Sequence, residues 1–219
     1  MIWLALALQA VAPPPASGDD IVVTGRLFGV CGPRYAPLYV APMGEPFRTN
    51  GTADPMRRWF AQADADHDGR VTPAELIADA QSFFSSIDHD HDGMLDPQEV
   101  SAYEIDVAPE IRLYKMGSFA EPKRGKAARE AKRDARRRAG YQTSYGAGEW
   151  ASLNIPEPVA SADLDIDRAV SRAEFAQMAA RRFGQIDAGQ RGVLTYEALP
   201  HSPAQAEIDA CYAREAAKR

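Results

Sequence analysis

The chain's 219 residues, 45% of them apolar, suffice for one sizeable domain or two small ones and exclude disorder along the whole length. The formal charge of -6 is unevenly spread. Of 25 Lys/Arg and 31 Asp/Glu, 11 and three fall within residues 112–138, so an acidic body suited to cations surrounds one basic tract.

In chain order, Met1 to Ala12 (MIWLALALQAVA) is an apolar run followed by the polar, proline-rich PPPASGDD. It is too short to span a bilayer, and Ala10 and Ala16 offer small-residue cleavage positions, so residues 1–16 are expected to be an export signal peptide. No Lys or Arg precedes the apolar core, and an uncleaved hydrophobic tail is the alternative. No other segment could cross a membrane, which places the expected product outside the cytoplasm, periplasmic or secreted. Residues 17–55 form an N-terminal arm.

Four segments then share one spacing: Asp64 to Glu75 (DADHDGRVTPAE), Asp88 to Glu99 (DHDHDGMLDPQE), Asp163 to Glu174 (DLDIDRAVSRAE) and Asp187 to Ala198 (DAGQRGVLTYEA). The first two resemble the EF-hand loop at every demanding position. That loop needs oxygen donors at 1, 3 and 5, glycine at 6, a backbone carbonyl at 7, a side chain at 9 and a bidentate Glu at 12. Loop one offers Asp64, Asp66, Asp68, Gly69, Arg70, Thr72 and Glu75; loop two offers Asp88, Asp90, Asp92, Gly93, Met94, Asp96 and Glu99. Calcium is a hard cation that takes six to eight oxygens, and without it these carboxylates would repel one another. Surface turns also favour Asp and Gly, but turn chemistry does not explain Glu at position 12 and an apolar residue at 8 in two copies.

Position 8 is apolar in all four segments (Val71, Leu95, Val170, Leu194), as expected where paired loops join in a short two-stranded bridge. Loop three offers Asp163, Asp165, Asp167, the carbonyl of Ala169, Ser171 and Glu174, but Arg168 replaces the turn glycine. It is expected to adopt a left-handed or strained backbone, and its loop to bind an ion more weakly. Loop four has Gly189, Arg191 and Ala198 where ligands belong, and is not expected to bind. Thr72-Pro73-Ala74-Glu75 and Asp96-Pro97-Gln98-Glu99 read as helix starts, each an N-cap, a proline at the first helical position and Glu at the third. Apolar residues at helical spacing flank the loops (Phe60, Leu76, Phe83, Phe84, Ile87, Val100, Phe175, Met178, Phe183, Ile186, Leu199) and are read as core.

Loops one and two begin 24 residues apart, as do loops three and four, and the two halves are offset by 99 residues. Leu76 to Ile87 and Phe175 to Ile186 leave room for a single helix of about 18 Å between loops. Each such helix leaves one loop and enters the next, so the loops sit at opposite ends and should pair across the repeat, one with four and two with three. This compact spacing resembles lanmodulin and, more broadly, compact exported bacterial four-EF-hand proteins, over about Met56 to Val100 and Val159 to Leu199. The resemblance implies lanthanide binding as an alternative to calcium. Where lanmodulin's loops have proline at position 2, this chain has Ala65, His89, Leu164 and Ala188.

Between the halves, Lys126 to Ala139 is rich in helix formers and charge but has no apolar stripe. It reads as a solvated helix or as a docking arm, spanning Lys123 to Arg138, for an acidic protein, a polysaccharide or anionic lipid; nucleic acid is not expected for an exported chain. Tyr141 to Pro158 mixes aromatics with glycine and proline and reads as an ordered loop over apolar surface. Cys31 and Cys211 are expected to pair in an oxidising compartment, tying the arm to the last helix, with two buried thiols as the alternative. No nucleophile elbow, phosphate loop or zinc motif is present, so the chain reads as a non-enzyme.

The expected fold is all-α, with EF-hand helix-loop-helix repeats in two halves, residues 56–105 and 159–219, around a basic helical or irregular insertion at 106–158. The expected function is calcium binding as a sensor, a buffer or a calcium-stabilised module. The alternatives are an interaction protein with structural calcium and a lanthanide binder.

Overall fold

The computed structural model describes residues 31–112, 129 and 144–218. The export segment, the start of the N-terminal arm up to residue 30 and, apart from Arg129, the basic tract Lys123 to Arg138 lie outside the described residues. Within them, strands β1 (Leu38–Val40) and β2 (Pro46–Arg48) form an antiparallel hairpin. Helices α1 (Pro55–Ala63) and α2 (Pro73–Ile87) follow, then β3 (Met94–Leu95) and α3 (Pro97–Ala102), which runs into a π-helical turn at Tyr103–Val107. After the insertion come β4 (Val170–Ser171), α4 (Arg172–Ile186) and α5 (Pro203–Ala216).

The helix starts are chemically explicit. Asp54 caps α1 by accepting from the Met56 and Arg57 N–H groups, with Pro55 behind it. Thr72, Asp96 and Ser171 each head a capping box with Glu75, Glu99 and Glu174. Helices α2 and α4 each fill the interval between two loops without a break, and Gly184 does not interrupt the second.

The all-α expectation needs correction, because two small antiparallel sheets are present: β1 with β2, and β3 with β4. The first lies in what reads from sequence as an arm, yet Leu38, Tyr39 and Val40 are buried. The hairpin turns tightly at Gly44, whose φ is 109°. A Cβ there would stand 2.8 Å from the Tyr103 hydroxyl, which donates to the Gly44 carbonyl at 2.8 Å. The second half is also less helical than the first. Loop three is preceded only by a 3-10 turn, Ala160–Ala162, and loop four is followed only by another, Tyr196–Ala198. Pro156 and Pro158 prevent a longer helix before the one, and Ala198 leaves the other without a capping glutamate.

Two apolar clusters hold the fold, and both draw on both halves of the chain. One gathers Val40, Phe84, Leu95, Tyr103, Val159, Val170 and Phe175. The other gathers Tyr39, Trp59, Phe60, Val71, Leu76, Phe183 and Leu194. The flanking residues read as core are buried, except Val100 and Met178, which are partly buried against the first cluster. Residues 144–158 lie over this core: Ala147 is fully buried and Ala151 bridges to Val40. Cys31 and Cys211 form a disulfide, and the Tyr212 hydroxyl donates to the Gly32 carbonyl at 2.8 Å, so α5 is fastened to the segment before β1.

Arg182 of α4 is 1% exposed and donates to the carbonyls of Pro42 (2.7 Å) and Pro158 (2.8 Å) and to the Ser161 hydroxyl (2.9 Å). It pins the hairpin turn to the segment leading into loop three. Beside it, burial pushes the Glu157 carboxyl up from 4.5 to about 7, with Glu104 adding to the shift and Arg182 opposing it. Between those pH values the unfolded chain has lost a proton that the folded chain keeps, so stability falls as pH rises, and the deficit persists above pH 7. Glu157→Gln still accepts from the Ala160 N–H and carries no charge. We therefore expect it to stabilise the fold by roughly 1–3 kcal/mol at pH 8 and by little at pH 4.5, measured by urea unfolding at both pH values; equal effects at the two would contradict the assignment.

Candidate metal-binding site

The four loops share one backbone. Position 4 is left-handed in each, with φ of 59° at His67, 60° at His91, 64° at Ile166 and 49° at Gln190. Position 6 is left-handed as well, at Gly69, Gly93, Arg168 and Gly192 (φ 82°, 84°, 79° and 75°). In every loop an oxygen of the position 1 aspartate accepts the position 6 N–H: Asp64 from Gly69 at 2.9 Å, Asp88 from Gly93 at 3.2 Å, Asp163 from Arg168 at 3.0 Å and Asp187 from Gly192 at 2.7 Å. Asp64, Asp88 and Asp187 are buried because each is also the C-cap of its incoming helix, whose last turn closes on the cap's own N–H.

Glutamate at position 12 closes the first three loops in one way. Its Oε1 accepts the position 2 N–H (Ala65 at 3.1 Å, His89 at 2.6 Å, Leu164 at 2.9 Å) and its Oε2 the position 9 N–H (Thr72 at 2.8 Å, Asp96 at 3.1 Å, Ser171 at 2.8 Å). One side chain therefore spans its loop while capping the outgoing helix. The Thr72 N–H and hydroxyl hold the Glu75 carboxyl below its ordinary value, and the Ser171 hydroxyl and N–H do so for Glu174. Both are ionised at neutral pH.

The structure brings together Asp64, Asp66 and Glu75; Asp88, Asp90 and Glu99; and Asp163, Asp165 and Glu174, each set with oxygens within 4.8 Å of one another. The position 5 residues Asp68, Asp92 and Asp167 fall outside these sets; each accepts the N–H two residues on, from Arg70, Met94 and Ala169. Thr72, Asp96 and Ser171 act as helix caps. The donors fit a hard cation, being oxygens throughout; Asp88 Oδ1 is buried with no hydrogen-bond partner, as is Asp187 Oδ1 in loop four, but only loop two adds a closing glutamate to it.

The loops pair across the repeat. Val71 and Leu194 exchange both N–H···O=C bonds at 2.8 Å, joining loop one to loop four. Leu95 faces Val170 in the β3–β4 ladder, joining loop two to loop three. Loop four is closed by the Gly192 N–H on Asp187 Oδ2, and the Arg191 guanidinium stands beside the same carboxylate, its Nε 4.0 Å from Oδ1. Loop three carries two strained residues. Sequence singles out Arg168, but Ile166 is also left-handed, a worse fit for a β-branched side chain, and is 84% exposed. Sequence reasoning also passes over Arg172, at position 10 of loop three, which lies 3.5 Å from Asp88. The signal was available, since loops one and two hold proline at that position and loop three a cation.

Helices flanking acidic loops that pair through short bridges define a helix-loop-helix cation-binding class. A sequence model described as EF hand matches residues 56–78 and 80–102, spanning the helices and loops of the first half, and these two tandem units are of the EF-hand superfamily. No curated protein and no solved structure matches it. The family match and the acidic groups together point to calcium binding.

Two outcomes follow from the loop geometry. Leu194→Ala should destabilise the fold by about 2–4 kcal/mol and speed hydrogen exchange at the Val71 amide while leaving Leu95 protected; equal loss at both would contradict the pairing. Arg168→Gly relieves a left-handed side chain and should raise stability in the ion-free protein by about 0.5–1 kcal/mol, read from chemical unfolding.

Proposed function

We propose that this protein is an extracytoplasmic calcium-binding module that takes one ion in each of loops one, two and three and is stabilised by them. The observation that carries the reading is the threefold recurrence of one cage: a position 12 glutamate bound at both ends of its loop, with the carboxylates of positions 1 and 3 held against it. The ligands are Asp64, Asp66, Asp68, the Arg70 carbonyl, Thr72 and Glu75 in loop one. Asp88, Asp90, Asp92, the Met94 carbonyl, Asp96 and Glu99 serve loop two, and Asp163, Asp165, Asp167, the Ala169 carbonyl, Ser171 and Glu174 serve loop three. Loop three pays for two left-handed side chains and binds more weakly.

A stabilised module is favoured over a sensor by the shared helices. A sensor EF hand opens by swinging one helix away from its partner. Here α2 and α4 are each fixed at both ends in loops that pair across the repeat, so opening one hand strains another. Export is supported by the apolar N-terminal run and by the Cys31–Cys211 disulfide, a bond that persists in oxidising compartments.

Calorimetric titration with Ca²⁺ should give three sites, and Glu75→Gln and Glu99→Gln should each remove one, since Gln keeps the capping box but loses the bidentate carboxylate. Hydrogen exchange should slow across both apolar clusters on Ca²⁺ addition, with no newly exposed helix face. Unchanged stoichiometry in both variants would overturn the ligand assignment.

A further inference from the structure

Loops one and two present nearly the same donors, yet their electrostatic surroundings differ. The Arg172 guanidinium reaches out of the loop three half and stands 3.5 Å (Nη2) from Oδ2 of Asp88, the first residue of loop two. It is held there by the Ser85 hydroxyl at 2.9 Å and Gln81 Oε1 at 3.2 Å, and it lies 4.5 Å above the Phe84 ring. Its backbone is fixed too, donating to the Gly93 carbonyl at 3.1 Å and accepting from Gln81 Nε2 at 3.0 Å. The corresponding residue opposite loop one is Tyr196, whose hydroxyl instead donates to Asp54. Among the described residues, no ion pair within 4.0 Å reaches a carboxylate of loop one.

We propose that Arg172 is a specificity-determining residue of loop two: a tethered cation that competes with the ion for Asp88 and biases the loop against ions of higher charge. The proposal rests on loop two being an ion site. Repulsion between a fixed guanidinium and a bound ion scales with the ion's charge, so the penalty is half as large again for a trivalent ion as for a divalent one. Arg172's side chain is 43% exposed, so solvent screens much of this repulsion. Loop two is thereby weakened relative to loop one, and its trivalent-over-divalent preference is narrowed. The guanidinium also partners one oxygen of a buried aspartate, much as Arg191 accompanies Asp187 in loop four. Loop two is thus an ion site with a removable internal substitute, whereas loop four keeps its substitute and lacks the glutamate needed to exchange it.

The test isolates loop two in the full chain carrying Glu75→Gln and Glu174→Gln, both of which retain helix capping. Ca²⁺ and La³⁺ titrations are compared with and without Arg172→Gln. Arg172→Met is a second neutral variant that keeps an apolar cover on Phe84 should the first fail to fold. Arg172→Lys keeps the charge. The neutral variants should bind Ca²⁺ roughly 3–10-fold and La³⁺ roughly 5–30-fold more tightly than the parent, with the gain shrinking as salt is raised. Arg172→Lys should stay near the parent. Unchanged or weakened affinity in both neutral variants, or equal gains for the two ions, overturns the proposal. A parent that folds but binds no ion until Glu75 is restored would instead refute loop two as a site.

Discussion

Each half of the chain has room for only one helix between its two loops, and most of the architecture is a consequence of that length. A loop at each end of a fifteen-residue helix cannot fold back on its neighbour in sequence. The apolar residue at position 8 must therefore find its partner elsewhere, and the other half of the chain supplies it. Two such helices satisfy all four loops at once if α2 and α4 lie antiparallel, which they do, with Phe84 and Phe175 in edge-to-face contact 5.4 Å apart. Both apolar clusters then contain residues from both halves, and neither half is complete alone. The hairpin β1–β2, the segment 144–158 and α5 close what these helices leave open, and Arg182 and the disulfide tie those covers down.

Within that frame the loops differ in what neutralises the buried aspartate at position 1. In loop one, backbone N–H groups of Asp68 and Gly69 are its partners. In loop two a guanidinium arrives from the paired half. In loop four the cation belongs to the loop itself, and the N–H groups of Arg191 and Gly192 lower the Asp187 pKa. Loop four, with Arg191 beside its aspartate, pairs with loop one, whose carboxylates meet no ion pair among the described residues, and its backbone holds Val71 in register.

Much of this was legible in the sequence for a physical reason. Oxygen donors, a turn glycine and a capping glutamate at fixed offsets are local requirements, so the loops and helix starts stand out without an alignment. The cross-repeat pairing was legible because it follows from chain length alone. What was not legible depends on contacts distant in sequence. The β1–β2 hairpin is short, and it is held by burial against α1 and Trp150 rather than by alternation. Arg182 looks like any helix-surface arginine until the Pro42 and Pro158 carbonyls close around it. The shortened helices before loop three and after loop four follow from Pro156, Pro158 and Ala198, local signals that the regular loop spacing masks.

The position 12 glutamate joins folding to binding. In an isolated helix a capping box satisfies N–H groups that would otherwise lack partners. Here the same carboxylate also accepts the position 2 N–H, so it fastens the start of the loop to the start of the helix and faces the other ligands while doing so. The glutamate is thus placed by the same bonds that start the helix, and for Glu75 and Glu174 the capping bonds keep it ionised. Little side-chain entropy remains to be lost on binding, since the rotamer is already fixed by helix α2 or α4. Loop four shows the converse. With Ala198 in that position the outgoing helix shrinks to one 3-10 turn, so the position that lacks the closing carboxylate also lacks the capping box that starts a helix.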